Sequence, residues 1–315
     1  MGVIVALPKN VTLAPDEVAV TVVVPAPLGC NLNCAFCFIR ARREANPSHI
    51  VLQAEDYVEF IESMVVRRNV ALVSLQGYEP LLPESWSISK VILQKARELG
   101  VRTALVTNGT HLAERIDELV ALGVGGITVS LDSDQAAPHD LTRRTEGAFA
   151  KTIVGIRRAA ASDLRDRMII ASVLQRHKAH YLTGMPDLLA ELGLRYWVVT
   201  PVYKVGLSID HATVEPPADV VKELTTFHRE ALSRGISMLV DDEFETLIRN
   251  AGEAIDLAKL RLRRMSRLNQ TVRLSPDGSC AIGGDILHRS DGSGLVWNPR
   301  NEEASIFAGR VAELV

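Results

Sequence analysis

The sequence is short of net charge: 35 basic residues against 38 acidic ones leave -3 over 315 residues. That balance supplies no electrostatic footprint for a phosphate backbone or an anionic bilayer, so neither a nucleic acid nor a membrane is expected as partner. The chain also lacks any run of the roughly 20 apolar residues that a bilayer-spanning helix needs. Its opening stretch, MGVIVALPKNVTLAPDE, has neither a basic leading region nor a small-residue cleavage site, which argues against secretion and for the cytoplasm. The sequons at Asn10, Asn108 and Asn269 then carry no glycan. No internal repeat or low-complexity tract is present. A hydrophobic content of 47% nevertheless suffices to bury a sizeable core, as one large domain or a domain with an appendage.

Cysteine is scarce too, and unevenly placed. Cys30, Cys34 and Cys37 all fall within PLGCNLNCAFCFIR, and the fourth is Cys280. In a reducing compartment three clustered thiols read as metal ligands or catalytic groups rather than halves of disulfides. Zinc sites usually show paired C-x2-C knuckles, whereas C-x3-C-x2-C leaves a cluster iron or a metal with one open coordination position. An open position admits a substrate or a cofactor.

Short β-branched apolar runs alternate with longer amphipathic segments. The runs at 20–25, 70–75, 102–107, 125–131, 167–174 and 195–200 predict strands, and apolar residues at helical spacing over 55–68, 88–99, 112–122, 147–161 and 180–192 predict helices between them. Six strands with intervening helices imply an α/β fold on a parallel sheet, open or closed into a barrel, with sites beyond the C-terminal strand ends. The rhythm breaks at VGLSIDHATVEPPADV. Beyond it the sequence predicts helices over 217–234 and 243–265 and a hairpin in TVRLSPDGSCAIGGD, turning at Pro276, Asp277 and Gly278.

The cysteine motif lies just past the first strand and resembles the radical SAM signature, with Phe36 as its aromatic position. The resemblance spans about residues 20–215 and implies a partial (β/α)6 barrel over 1–215. It further implies one [4Fe-4S] cluster on Cys30, Cys34 and Cys37, S-adenosylmethionine chelated to the fourth iron, and an electron donor such as flavodoxin or ferredoxin. Further matches follow in chain order. QGYEP resembles the family's GGEP, implying cofactor contacts from Gly77, Tyr78 and Glu79, with Glu79 accepting from the methionyl amino group. VTNGT suggests Thr107 and Asn108, SLDS suggests Ser130, and HDLTRRTEGAFAK suggests Arg143 as partner of the methionyl carboxylate. SVLQRH places Ser172 and Gln175 near the ribose, and VTPVY places Thr200 and Pro201 near the adenine.

Residues 216–315 resemble the start of a SPASM or Twitch extension with a single cysteine, so a short α+β extension over the barrel mouth without an auxiliary cluster is expected. Cys280 has two readings: a buried apolar packing residue, or the hydrogen-atom donor of a radical epimerase. Only about twenty residues precede the first strand, which favours a compact substrate over a leader-bearing peptide. The carbohydrate epimerases of antibiotic pathways are the analogy adopted, with a small-molecule or oligosaccharide substrate held by Asp132, Tyr203, Lys204, Asp241, Asp242 and Glu243. The alternatives are a radical dehydrogenase of a sugar or cyclitol and, remotely, a zinc-binding module in which Cys280 completes a four-cysteine site.

Overall fold

The computed structural model describes residues 13–26, 29–34, 36–37, 51–175, 178–202, 219–241, 262–263, 270–282 and 295–313, with backbone alone at 219–221, 241, 262–263 and 295–296. The six expected strands are β1 (Val18–Val24), β2 (Val70–Gly77), β3 (Arg102–Thr107), β4 (Gly126–Ser130), β5 (Met168–Leu174) and β6 (Tyr196–Pro201). They pair in parallel in chain order, each crossover carrying helix. β1 is buried at every position, because it lies within the sheet between β2 and the later strand Thr271–Leu274, with helices on one face and Leu13, Leu72 and Ala104 around Ala19 on the other.

Alternation along the strands sorts the two faces. Val18, Val20, Val22 and Val24 join the main core under the helix layer, while Ala19 meets Leu72 and Ala104 in a small cluster on the opposite, inner face. Ile169, Val198 and Leu239 close that inner face farther along the sheet. The helices are α1 (Ala54–Arg67), α2 (Pro83–Glu98), α3 (Leu112–Ala121), α4 (Ala136–Arg143), α5 (Ala148–Ala160), α6 (Met185–Glu191), α7 (Asp219–Ser233) and α8 (Ala304–Ala312). In α1, Asp56 Oδ2 accepts from the Gln53 N–H at 2.7 Å, capping the first turn. Its Tyr57, Phe60, Ile61 and Met64 bury a stripe at helical spacing, each stabilising by roughly 1.5–3 kcal/mol.

Two departures from the sequence reading have physical causes. Helix α4 has no helical apolar stripe in AAPHDLTR and carries Pro138 in its first turn, where a missing N–H costs nothing, so periodicity does not reveal it. The helix expected over 243–265 is corrected at its end. Leu262–Arg263 form a strand, β8, parallel to β7 (Ser237–Asp241), in keeping with the two-residue alternation of leucine and arginine in LRLRR. Residues 242–261 and 264–265 lie outside the described set.

The predicted hairpin is present as β9 (Thr271–Leu274) and β10 (Ser279–Ile282), turning through Pro276, Asp277 and Gly278. Its place in the sheet is one that no local pattern announces. β9 lies beside β1 in parallel, with Val22 opposite Leu274, and β10 and β11 (Leu295–Val296) continue antiparallel to the edge. The eleven strands run β11-β10-β9-β1-β2-β3-β4-β5-β6-β7-β8, an open, mostly parallel sheet with strands from residues 216–315 at both edges. Trp297 and Phe307 of the C-terminal segment stack 5.7 Å apart and meet Phe60 of α1 at 6.2 and 5.8 Å. No helix among the described residues is long and apolar enough to cross a membrane.

Candidate active site

Every parallel strand of this sheet ends on the same side, and the loop after β1 brings Cys30, Cys34 and Cys37 there. All three thiols are partly exposed. Their loop is held from two directions. On one side, Asn31 and the TNG turn after β3 close a ring of hydrogen bonds. Asn31 Nδ2 donates to Thr110 Oγ1 at 2.8 Å, Thr110 Oγ1 donates to Asn108 Oδ1 at 2.7 Å, and Asn108 Nδ2 donates to Asn31 Oδ1 at 2.9 Å. The second hydrogen of the Asn108 amide is directed at Cys30 Sγ, 3.7 Å away. On the other side, Asn33 N–H donates to the Arg143 carbonyl at 3.2 Å, and Arg143 Nη1 reaches Cys34 Sγ at 3.7 Å. The guanidinium also stands 5.4 Å from the Phe36 ring centroid.

Glu79 is the anion at the centre of this edge and is 1% exposed. Its Oε1 accepts from Thr107 Oγ1 at 2.6 Å and from Leu81 N–H at 3.1 Å, and its Oε2 accepts from Asn108 N–H at 2.6 Å. Burial raises its pKa, and these three donors oppose the rise. A carboxylate offers about four acceptor sites. Three are taken by the chain, which leaves room for one further donor.

Arg143 is buried against Asp132, with Nε and Oδ2 at 2.8 Å in an alignment that gives neither atom a hydrogen bond. Asp132 Oδ1 accepts from Val173 N–H at 2.9 Å. Burial raises the Asp132 pKa, while Arg143 pulls it back. For Arg143 burial works against the charge, but Asp132 and then Cys34 hold it above its ordinary value. Behind the pair, His139 Nδ1 accepts from the Asp132 backbone N–H at 3.2 Å, and its buried Nε2 has no hydrogen-bond partner among the described residues. Burial, with Arg143 second, pushes the imidazole down to about 3, so the ring is neutral.

Other expected site residues take different places. Gly77 does approach another strand closely, but that strand is β1: its φ is +123° and a Cβ would stand 2.7 Å from Val23 Cγ1 and 3.3 Å from the Val24 backbone nitrogen. Tyr78 is half-buried beside it. Ser130 and Thr200 are half-buried at the ends of β4 and β6, and Pro201 is buried. Gln175 donates to Thr142 Oγ1 at 3.1 Å and accepts from Lys178 Nζ at 3.0 Å.

Ser172 is turned away from the inner face. It shares the helix-side face with Met168, Ile170 and Leu174, donates to the Leu131 carbonyl at 2.5 Å and accepts from Trp197 Nε1 at 2.9 Å. The expectation of a ribose contact is therefore corrected: its hydroxyl ties β5 to the neighbouring strands. Asp132, expected as a substrate ligand, is committed to Arg143 and Val173. Tyr203, Lys204, Asp242 and Glu243 lie outside the described residues, as does the side chain of Asp241.

Cys280 is 2% exposed and packs in the helix-side core that also holds Leu274, Trp297 and Phe307. Burial alone pushes its thiol up to about 12. The face that it shares is opposite to the inner one, so the donor role expected for it has no geometric support. The zinc reading is corrected as well. Among the described residues, no three His, Cys, Asp or Glu side chains are close enough to ligate one metal ion.

A cubane cluster asks for something else, one thiolate per iron, and three partly exposed thiols on one loop fit it. The surrounding donors fit an anionic iron–sulfur core too: a neutral amide aims at one thiol and a guanidinium at another. Beside them, Glu79 is suited to an ammonium group. Burial pushes the Cys30 thiol up to about 12, opposed by Leu32 N–H, and bound iron would reverse this by displacing the proton. Sequence reasoning missed Asn31, Thr110 and His139. Asn31 and Thr110 do adjoin motif residues, which is the one signal that could have found them.

The pattern of the Radical SAM superfamily matches residues 24–178. The AdoMet-dependent heme synthase of Methanosarcina barkeri is 30% identical over 205 residues, 64% of this chain and 55% of that protein. The GTP 3',8-cyclase of Rhodococcus opacus is 32% identical over 185 residues, 58% of this chain and 50% of that protein. The chain thus spans about half the length of these curated relatives. Streptococcus suis SuiB bound to S-adenosylmethionine superposes with a TM-score of 0.64 at 13% identity, over 93% of this chain and 66% of that one. Native anSMEcpe with bound AdoMet gives 0.60 at 15%, over 94% and 84%. At such identities the two structures show the fold alone.

Proposed function

From the premise that the chain carries a radical SAM domain over residues 24–178, we propose that it removes a hydrogen atom from an unactivated carbon of a compact, hydroxyl-rich substrate of the carbohydrate class. The single observation that carries this is the convergence of Cys30, Cys34, Glu79, Asn108 and Arg143 at one edge of the sheet, Asn108 reaching Glu79 at 2.6 Å and Cys30 at 3.7 Å and Arg143 reaching Cys34 at 3.7 Å. Cys30, Cys34 and Cys37 would hold the [4Fe-4S] cluster of this family. When bound, that cluster and S-adenosylmethionine supply one electron for homolysis and a 5'-deoxyadenosyl radical to take the hydrogen.

The chain's own residues do the rest. Glu79, fixed by Thr107, Leu81 and Asn108, presents its remaining acceptor site to the methionyl ammonium, and Arg143 offers a cation to the methionyl carboxylate. The mostly parallel sheet keeps these groups at a rigid strand edge, so little reorganisation accompanies binding. On the inner face Ser74, Gln76, Thr128, Ser130 and Thr200 are half-buried, a lining of hydroxyls and an amide that suits a polyol better than an apolar compound.

The fate of the substrate radical depends on whether a hydrogen donor faces it. Cys280 stands on the other side of β10, which favours dehydrogenation of an alcohol over epimerisation: the substrate radical would lose a proton to solvent and return one electron to the oxidised cluster that Cys30, Cys34 and Cys37 would hold, leaving cleavage of S-adenosylmethionine as the net oxidant. The test is anaerobic reconstitution of the full chain, followed by incubation with reductant, S-adenosylmethionine and candidate glycosides in D2O. Formation of 5'-deoxyadenosine with a product lighter by two hydrogens supports the reading. Deuterium at a retained stereocentre would restore epimerisation, and a protein that binds no iron or sulfide would end the proposal.

A further inference from the structure

The ring formed by Asn31, Thr110 and Asn108 fixes one atom absolutely. The Thr110 backbone N–H can only donate, and it stands 2.9 Å from Asn108 Oδ1. That oxygen also accepts from Thr110 Oγ1 at 2.7 Å. The amide therefore has one orientation, with its nitrogen toward Asn31 Oδ1 and Cys30 Sγ. Asn31 immediately follows Cys30, so the ring couples the cysteine loop to the turn after β3 through side chains alone.

We infer that this ring sets the reduction potential of the cluster by holding the Asn108 amide N–H on the Cys30 sulfur. The inference rests on the reading of Cys30, Cys34 and Cys37 as cluster ligands. Its physical basis is electrostatic. An N–H dipole directed at a thiolate sulfur stabilises negative charge there, and it stabilises the one-electron-reduced cluster more than the oxidised one because the former carries more of it. Removing the dipole makes reduction harder. Asn108 is the donor, while Asn31 and Thr110 are positioning residues that act through it. Threonine suits position 110 because its hydroxyl accepts from Asn31 while donating to Asn108, which no apolar side chain of the same shape can do.

The test is an EPR-monitored redox titration of the reconstituted full chain without S-adenosylmethionine, for the wild type, Asn108→Ala, Thr110→Val and Thr110→Ser. Iron and sulfide are assayed in each. Expected are equal cluster contents, a midpoint potential shifted to more negative values in Asn108→Ala and in Thr110→Val, and a wild-type potential in Thr110→Ser. Full clusters with unshifted potentials in both Asn108→Ala and Thr110→Val overturn the inference and leave the functional reading intact. Loss of the cluster from Thr110→Val but not from Thr110→Ser also overturns it, making the ring a latch for assembly. A wild type without iron and sulfide defeats the functional reading itself, and the inference with it.

Discussion

Asn108 donates its backbone N–H to Glu79 Oε2 at 2.6 Å while its side-chain amide points at Cys30 Sγ, 3.7 Å away. One residue thus joins the buried anion after β2 to the first cysteine after β1. The two proposed ligand sites, for iron and for the methionyl group, are consequently not independent, and a change at Glu79 is transmitted to the cysteine loop through a single residue.

Glu79→Gln tests that link. The variant keeps the shape but puts an NH2 where one of two oxygens now accepts, so either Asn108 N–H or the Thr107 and Leu81 donors face a donor. A buried donor left unmatched costs about 1–3 kcal/mol. Urea denaturation is expected to show a loss of that size. Binding of S-adenosylmethionine, measured calorimetrically on reconstituted protein, should weaken about tenfold or more, since a charge-assisted bond of ~1.5–3 kcal/mol also goes. Unchanged stability and affinity would show that GYEP is an ordinary turn.

Arg143 and Asp132 are predicted to be strongly coupled. Arg143→Leu leaves the Asp132 carboxylate buried without its ion-pair partner and only the charge of Lys178 to offset it, which costs about 3–5 kcal/mol. Adding Asp132→Asn removes the stranded charge and should recover part of that loss. A double-mutant cycle from denaturation midpoints measures the recovery. Additive losses would mean that the pair is held apart by water and contributes nothing.

Stability should also depend on pH through His139, which is neutral in the fold because burial, with Arg143 second, pushes it down to about 3, against 6.5 for the free side chain. Below pH 6.5 the unfolded chain binds a proton that the folded one refuses, so this group's stabilisation is present above 6.5 and is lost as pH falls toward 3. Between pH 7 and pH 5 the loss is about 2 kcal/mol. Glu79 and Asp132, both raised by burial, act in the opposite sense and favour the fold as pH falls. The measure is therefore the difference between the wild type and His139→Asn, which keeps an acceptor near the Asp132 N–H but does not titrate. The variant's stability should fall less from pH 7 to pH 5, and parallel curves would remove His139 from the account.

Much of this architecture is legible in the sequence because parallel strands buried on both faces read as apolar runs: VAVTVVV and MIIASVL announce β1 and β5 within two residues of their ends. The motif order Cys30, Glu79, Asn108, Arg143 is legible for the same reason, since each falls just past a strand or in the segment after one. What sequence does not carry is facing. Ser172 follows the β5 run as a ribose contact would, but strand parity turns it toward Trp197 and the helices. Gly77 suggests room for a cofactor, whereas its positive φ and Val23 account for it. The partners of β9 lie some 250 residues away in the chain, on β1, and no local pattern encodes a pairing so distant.

Facing also implies that Cys280→Ala leaves the chemistry alone. The thiol lies 2% exposed in the helix-side core, and its strand neighbour Leu274 shares that core. Replacing it by alanine removes one sulfur from a packed interior, with an expected cost of about 1 kcal/mol in denaturation. The folded wild type without its cluster should take up iodoacetamide at Cys30, Cys34 and Cys37 before Cys280, because the first three are partly exposed and burial denies the last access. The variant should assemble a normal cluster and form 5'-deoxyadenosine at the wild-type rate, and with a competent glycoside it should give the same product in D2O. A variant that still forms 5'-deoxyadenosine but returns deuterated starting material in place of product would show that the thiol reaches the substrate after all. Strand β10, paired with β9 and β11, would then have to turn its side chains over during the reaction, and dehydrogenation would give way to epimerisation.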